Sequence, residues 1–109
     1  NLFELIKSDK FGQIFVSTTK PGITRGNHYH HLKTEKFLVI RGEAEIHFRQ
    51  ISTEKIIKYE VSGSKPMVVD IPIGYTHNIT NKGKTELITL FWANEIFDSE
   101  NPDTYFLQV

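Results

Sequence analysis

Turn signals cut this chain into pieces too short for a helical fold. Lys20–Gly22, Ser52–Lys55, Ser62–Pro66, Pro72–Tyr75 and Asn81–Lys84 are rich in Gly, Pro, Ser and Asn. They recur roughly every 8–12 residues over much of the chain, the spacing of an all-β sandwich or barrel. Strand-like runs lie between them: Leu2–Ile6, Gln13–Thr19, Glu35–Ile40, Glu43–Ile51, Ile56–Val61, Met67–Ile71, Thr76–Thr80 and Thr85–Ala93. The run from Glu43 alternates. Ala44, Ile46 and Phe48 share one face, and Glu43, Glu45, His47 and Arg49 the other, which is the period of a half-buried strand. Asn81–Lys84 sits like a hairpin connection between the last two runs. No helical period precedes residue 93. The tail from Ala93 to Val109 mixes Ile96, Phe97, Tyr105, Phe106 and Leu107 with acids and Pro102, and is expected to pack back on the barrel or on a neighbouring subunit.

The whole chain, 109 residues, suits one domain spanning 1–109. Its 13 Lys and Arg balance 13 Asp and Glu, which argues against nucleic acid or an anionic membrane as partner. No run of about 18 apolar residues is present to cross a membrane, and no signal segment opens the chain. With no Cys, disulfide and thiolate chemistry are excluded, and the cytoplasm is the default setting. A first residue other than Met reads as a chain excised from something longer, or processed.

The histidines carry the functional signal. Three of five, His28, His30 and His31, fall within four positions. On a strand His28 and His30 share a face, and their rings, about 7 Å apart along the chain, can reach one point. Glu35 follows after the short turn His31–Thr34, and His77 lies in a later turn-bounded segment. Three neutral imidazoles and a carboxylate suit Zn, Fe, Ni, Cu or Mn, with positions left for water or substrate. Gly22, His28, His30, Glu35 and Gly42, then Pro72, Gly74, His77 and Asn81, are nine residues at fixed offsets. Chance gives such a match about once in 10¹² placements.

These two motifs resemble those of the cupin superfamily. The second lacks its opening glycine, because Pro66 stands six positions before Pro72. The resemblance implies a small antiparallel jelly-roll β-barrel, with His28, His30, Glu35 and His77 meeting inside it on a divalent metal ion, zinc first. Three stretches, Thr18–Arg49, Val68–Asn81 and Thr89–Phe106, look like the C-terminal cupin domain of bifunctional capsular polysaccharide-synthesis enzymes. Ser99 stands where that family's tail has proline. The resemblance implies an N-terminal short-chain reductase domain in a longer protein, a homodimer, and a UDP-linked 4-keto-6-deoxy-N-acetylhexosamine as substrate. The cupin epimerises C3 on the way to UDP-N-acetyl-L-fucosamine, and the reductase acts at C4 with NADPH. No Gly-x-Gly-x-x-Gly follows a strand here, so no nicotinamide site is expected in this chain.

For that reaction the metal polarises the C4 carbonyl, a base removes the C3 proton and an acid returns one to the other face. Tyr75 and His31 are the candidate proton carriers, with a metal-bound water as the alternative. Arg25 and Lys33 flank the ligand strand and are candidates for an anionic substrate. His47 and Lys36 read as surface residues, and Phe91 and Trp92 as core or dimer contacts. Two other functions use the same residues: a metal-cupin oxygenase or isomerase on another small molecule, and a non-catalytic module that binds saccharide or dimerises its partner domain.

Overall fold

The computed structural model describes residues 2–109, with the backbone alone at residues 3, 5 and 6. Asn1, the first residue of the expected domain, lies outside the described residues. Ten strands form two five-stranded antiparallel sheets. One runs in the order β1 (Leu2–Ser8), β2 (Gly12–Thr19), β9 (Leu87–Ala93), β4 (Glu35–Arg41), β7 (Val68–Ile71). The other runs β10 (Tyr105–Phe106), β3 (Thr24–Tyr29), β8 (Tyr75–Asn81), β5 (Glu43–Gln50), β6 (Ile56–Ser62). The described residues form no helix. The expected jelly-roll is the fold.

Alternation explains the core. Ala44, Ile46 and Phe48 of β5 are buried, while the intervening Glu45, His47 and Arg49 are half-exposed. They meet Phe37 and Val39 of β4, Ile79 of β8 and Leu87 of β9 between the sheets. Burying one such large side chain stabilises by roughly 1.5–3 kcal/mol.

The Asn81–Lys84 turn is not a hairpin. β8 exchanges backbone bonds with β3 and β5, whereas β9 pairs with β2 and β4. The turn therefore crosses between sheets. Buried Asn81 fixes that crossing: its amide donates to the Thr19 and Thr85 carbonyls at 2.9 Å each, and its side-chain oxygen accepts from Gly83 N–H. A local turn signal reports a reversal of direction, not which strand is met afterwards.

Two features aim β3, the strand that carries His28. Between Gly26 and His28 the β3–β8 register slips by one residue, so that Gly26 faces Asn78 and His28 faces His77. Asn27 is the extra residue of this bulge, at φ 56°, a conformation Asn tolerates better than most. The bulge lets Arg25 and His28, three apart, reach one cavity. Gly26 lies against β8, where a Cβ would come within 2.7 Å of the His77 carbonyl. The tail then folds back on the barrel: Tyr105 pairs with Tyr29 and Phe106 with His28, making β10 the edge of the sheet.

Candidate metal centre

Donor atoms of His28, His30, Glu35 and His77 all lie within 4.8 Å of one another. β3 supplies His28, the turn after it His30, the first position of β4 Glu35, and β8 His77. The Pro72–Tyr75 turn is tied to this region, because Gly74 N–H donates to the His30 carbonyl at 3.1 Å. His30, Glu35 and His77 are buried, and His28 is half-buried.

Hydrogen bonds fix the ring faces. A carbonyl can only accept, so the 2.7 Å contact to the Asp103 carbonyl puts a proton on His30 Nδ1. His30 Nε2 then faces Glu35 Oε1 at 2.6 Å. His77 Nδ1 lies 3.3 Å from the Tyr75 carbonyl, and its Nε2 is 3.3 Å from Glu35 Oε1 without forming a hydrogen bond. That Nε2 is buried with no hydrogen-bond partner. Two acceptor-capable imidazole nitrogens aimed at one carboxylate repel it unless a cation lies among them. A proton supplies one such cation and a divalent ion another. His28, His30, Glu35 and His77 would together hold such an ion, three imidazole nitrogens and one carboxylate oxygen being a donor set that zinc accepts. The donor set fits a divalent ion.

Electrostatics prepares the same site. Burial, reinforced by the neighbouring His77, lowers the His28 pKa from 6.5 to about 4, so the ring is neutral and free to ligate near pH 7. Burial alone raises the Glu35 carboxyl, but the facing imidazoles of His30 and His77 outweigh it and hold it below the ordinary carboxylate range.

The cluster opens onto a cavity of about 290 Å³. Arg25, Lys33, Phe15, Phe91 and Phe97 line it together with His28, His30 and Glu35. This volume is at the lower end for ligand sites. Arg25 Nη1 donates to Ser17 Oγ. Lys33 is buried at 9% exposure, with Nζ 5.7 Å from the Phe97 ring centre, and among the described residues no carboxylate pairs with it. Phe91 is a cavity wall as well as a core neighbour, stacked on Phe15 at 5.2 Å.

Tyr75 and His31 do not line this cavity. The Tyr75 ring packs against Phe48, 5.8 Å between centres, within the apolar core. His31 is exposed and packs on Tyr105 at 4.7 Å, drawn outward by the tail's aromatic ring. His47 pairs with Glu45 on the outer face of β5, as a surface residue does.

Asp103 is the residue that sequence reasoning missed. It is buried, has φ 50°, and its carboxylate accepts N–H bonds from His31, Leu32 and Lys33 at 2.8, 2.9 and 3.0 Å. Burial alone raises its carboxyl, but those three N–H groups outweigh it and lower it. The available signal was the Asn-Pro-Asp sequence at 101–103, a turn-forming run in the tail.

Known proteins agree with this architecture. The family profile described as the polysaccharide biosynthesis C-terminal domain matches residues 1–105. A Pseudomonas aeruginosa protein named UDP-2-acetamido-2,6-beta-L-arabino-hexul-4-ose reductase is 48% identical over 97% of the chain and 28% of its own length. The crystal structure of the capsular polysaccharide assembling protein CapF from Staphylococcus aureus superposes with a TM-score of 0.97 at 56% identity, covering 99% of the chain and 32% of CapF. The chain thus spans less than a third of either relative. NovW, a 4-keto-6-deoxy sugar epimerase from Streptomyces spheroides, shares the fold at TM-score 0.74 and 13% identity, over 84% of the chain and 50% of NovW.

Proposed function

The chain belongs to the polysaccharide biosynthesis C-terminal domain family, and from that membership we propose that it is the metal-dependent module that epimerises C3 of a UDP-linked 4-keto-6-deoxy-N-acetylhexosamine. The observation that carries the reading is a four-donor set of which three members, His28, His30 and Glu35, line a cavity that also holds two basic side chains, Arg25 and Lys33. The reductase name of the Pseudomonas relative supplies the sugar class, and the cavity supplies a place for its ketone.

C3 is adjacent to the C4 carbonyl, so its proton is weakly acidic and its loss gives an enediolate. A divalent ion on His28, His30, Glu35 and His77, zinc first, supplies Lewis-acid polarisation of that carbonyl when bound. The chain's own residues do the rest. Arg25 and Lys33 bring positive charge to the cavity, matching an enediolate oxygen or a diphosphate. Phe15, Phe91 and Phe97 cover the sugar and exclude water from it. The assignment of proton transfer to Tyr75 and His31 does not suit their placement. Among the side chains lining the cavity, Lys33 and Glu95 lie outside the four-donor set and carry groups that can accept or donate a proton. A proton leaving C3 reaches one of them or the solvent at the mouth. The same reading includes an N-terminal reductase domain in the longer protein, homodimerisation and a cytoplasmic setting.

Deprotonation is the defining step, so the test is isotopic. In D₂O the zinc-loaded chain should place deuterium at C3 of the 4-keto UDP-sugar without NADPH, followed by proton NMR. Sugar-nucleotide binding with no exchange above buffer refutes the epimerase reading in favour of a binding module. Oxygen consumption with Fe(II) would point instead to an oxygenase.

A further inference from the structure

We propose that Asp103 is a positioning residue for the four-donor site: from the tail, it selects which ring nitrogen of His30 faces the other donors. The inference rests on the metal reading above for its consequence, but on hydrogen bonds alone for its geometry.

Asp103 meets the ligand turn through two different groups. Its carboxylate gathers the N–H groups of His31, Leu32 and Lys33. Its carbonyl takes the Nδ1 proton of His30 at 2.7 Å. Without that acceptor, the His30 ring can carry its proton on Nε2 or rotate, and either change removes a lone pair from the centre. A carbonyl beside a metal-ligating imidazole is how the other nitrogen is made the donor.

The side chain and the carbonyl are mechanically coupled. Asp103 has φ 50°, which costs free energy for a residue with a Cβ. Three N–H bonds to a buried carboxylate offset that cost and keep the carbonyl where His30 needs it. Removing the carboxylate takes away the three bonds that hold Asp103 against the turn, and its carbonyl should then leave His30. The same clamp sets the turn that carries Lys33 into the cavity, since Lys33 N–H is one of its three donors.

The rest of the tail does not depend on Asp103. Asn94 holds the far end of the turn, accepting from Thr34 N–H at 2.9 Å and donating its own N–H to the Thr34 carbonyl. Arg49 donates to the Gln108 carbonyl, and Leu107 N–H to the Asn27 carbonyl. Variants at Asp103 should therefore keep a docked tail.

The experiment compares the chain with D103N, D103A and, as a control that loosens only the tail's end, R49A. The first readout is the His30 Nδ1 proton in the metal-free, ¹⁵N-histidine-labelled chain. The second is zinc affinity by competition with a chromophoric chelator. The native chain should show a downfield ring proton protected from exchange. D103N should lose that protection and bind zinc about 10–100-fold more weakly, as removal of a group supporting a ligand does. R49A should change neither. If D103A fails to fold, D103N decides, since its amide puts an NH2 where one carboxylate oxygen accepted from the backbone and so breaks at least one of the three bonds. A ring proton as protected in D103N as in the native chain overturns the proposal, as does zinc affinity kept within about twofold. If the native chain takes up no zinc, the metal reading falls, and the ring proton still decides what Asp103 does.

Discussion

Replacing Glu35 with Gln separates a metal ligand from a structural carboxylate. The side chain is 6% exposed and lies 2.6 Å from His30 Nε2 and 3.3 Å from His77 Nε2. Gln has the same shape and loses only the charge. Without metal, its amide N–H can donate to His30 Nε2, and the imidazoles can revert to neutral, so no unpaired charge is left inside. The metal-free variant should then stay within about 1 kcal/mol of the native chain. Zinc uptake should differ sharply. At a free zinc concentration 100 times Kd, binding stabilises the native chain by about 2.7 kcal/mol. At this length that is roughly 4–6 °C per kcal/mol, a rise in Tm of about 10–15 °C. Losing a group that merely supports a ligand costs 10–100-fold, so losing the one anionic donor should cost at least about 100-fold. The same zinc concentration then equals Kd for E35Q, giving about 0.4 kcal/mol and roughly 2 °C. Thermal unfolding in chelator and in buffered zinc gives all four numbers. An equal zinc shift in both proteins removes Glu35 from the ligand set. A loss of about 3–5 kcal/mol in chelator shows that the carboxylate holds the barrel together on its own.

Gly26→Ala places a Cβ against the β8 backbone at φ 114° and should cost more than about 1 kcal/mol in urea unfolding, with the zinc shift reduced as His28 moves; native stability would refute the close β3–β8 approach as a constraint on this position. Lys33→Met keeps the packing on Phe97 while deleting the cavity's buried ammonium, and should lower C3 exchange by about 10²–10³ with zinc affinity retained. Unchanged exchange would exclude Lys33 from the reaction. The His28 pKa is lowered in the fold, so its contribution is complete above about pH 6.5 and is lost as pH falls toward 4, the unfolded chain taking up the proton first. Between pH 7 and 5 the metal-free chain should lose about 1–2 kcal/mol that His28→Asn does not, after discounting for the ring's partial exposure. Identical pH profiles would contradict the assigned burial effect.

Alternation, and the His28, His30 and Glu35 spacing, were legible because each is local. The Glu43–Gln50 faces follow from a period of two, and four potential donors stand out where three imidazoles and a carboxylate recur at fixed offsets. The β8–β9 crossing was not legible, since the Asn81–Lys84 turn has hairpin chemistry and its outcome depends on Thr19, far away in the sequence. The bulge at Asn27 was missed for a related reason. A strict alternation puts Arg25 and His28 on opposite faces, and only the Gly26-Asn27 pair, both at positive φ, allows them to line one cavity.

Asp103 was hidden most deeply, and the reason bears on how the site works. Its bond to His30 joins positions 73 residues apart. His30 and Glu35 are close in sequence, but His77 and Asp103 reach them only through β3–β8 pairing and through the β10 tail. An unfolded chain offers scattered imidazoles, whereas the closed barrel offers four donors with at least one nitrogen already selected. On the proposed reading, ion binding would be coupled to closure of the barrel and docking of the tail, and fraying β10 should weaken the site before it unfolds the sheets. Tyr105 supports that docking by stacking on Tyr29 at 5.4 Å, next to the segment that brings the Asp103 carbonyl to His30.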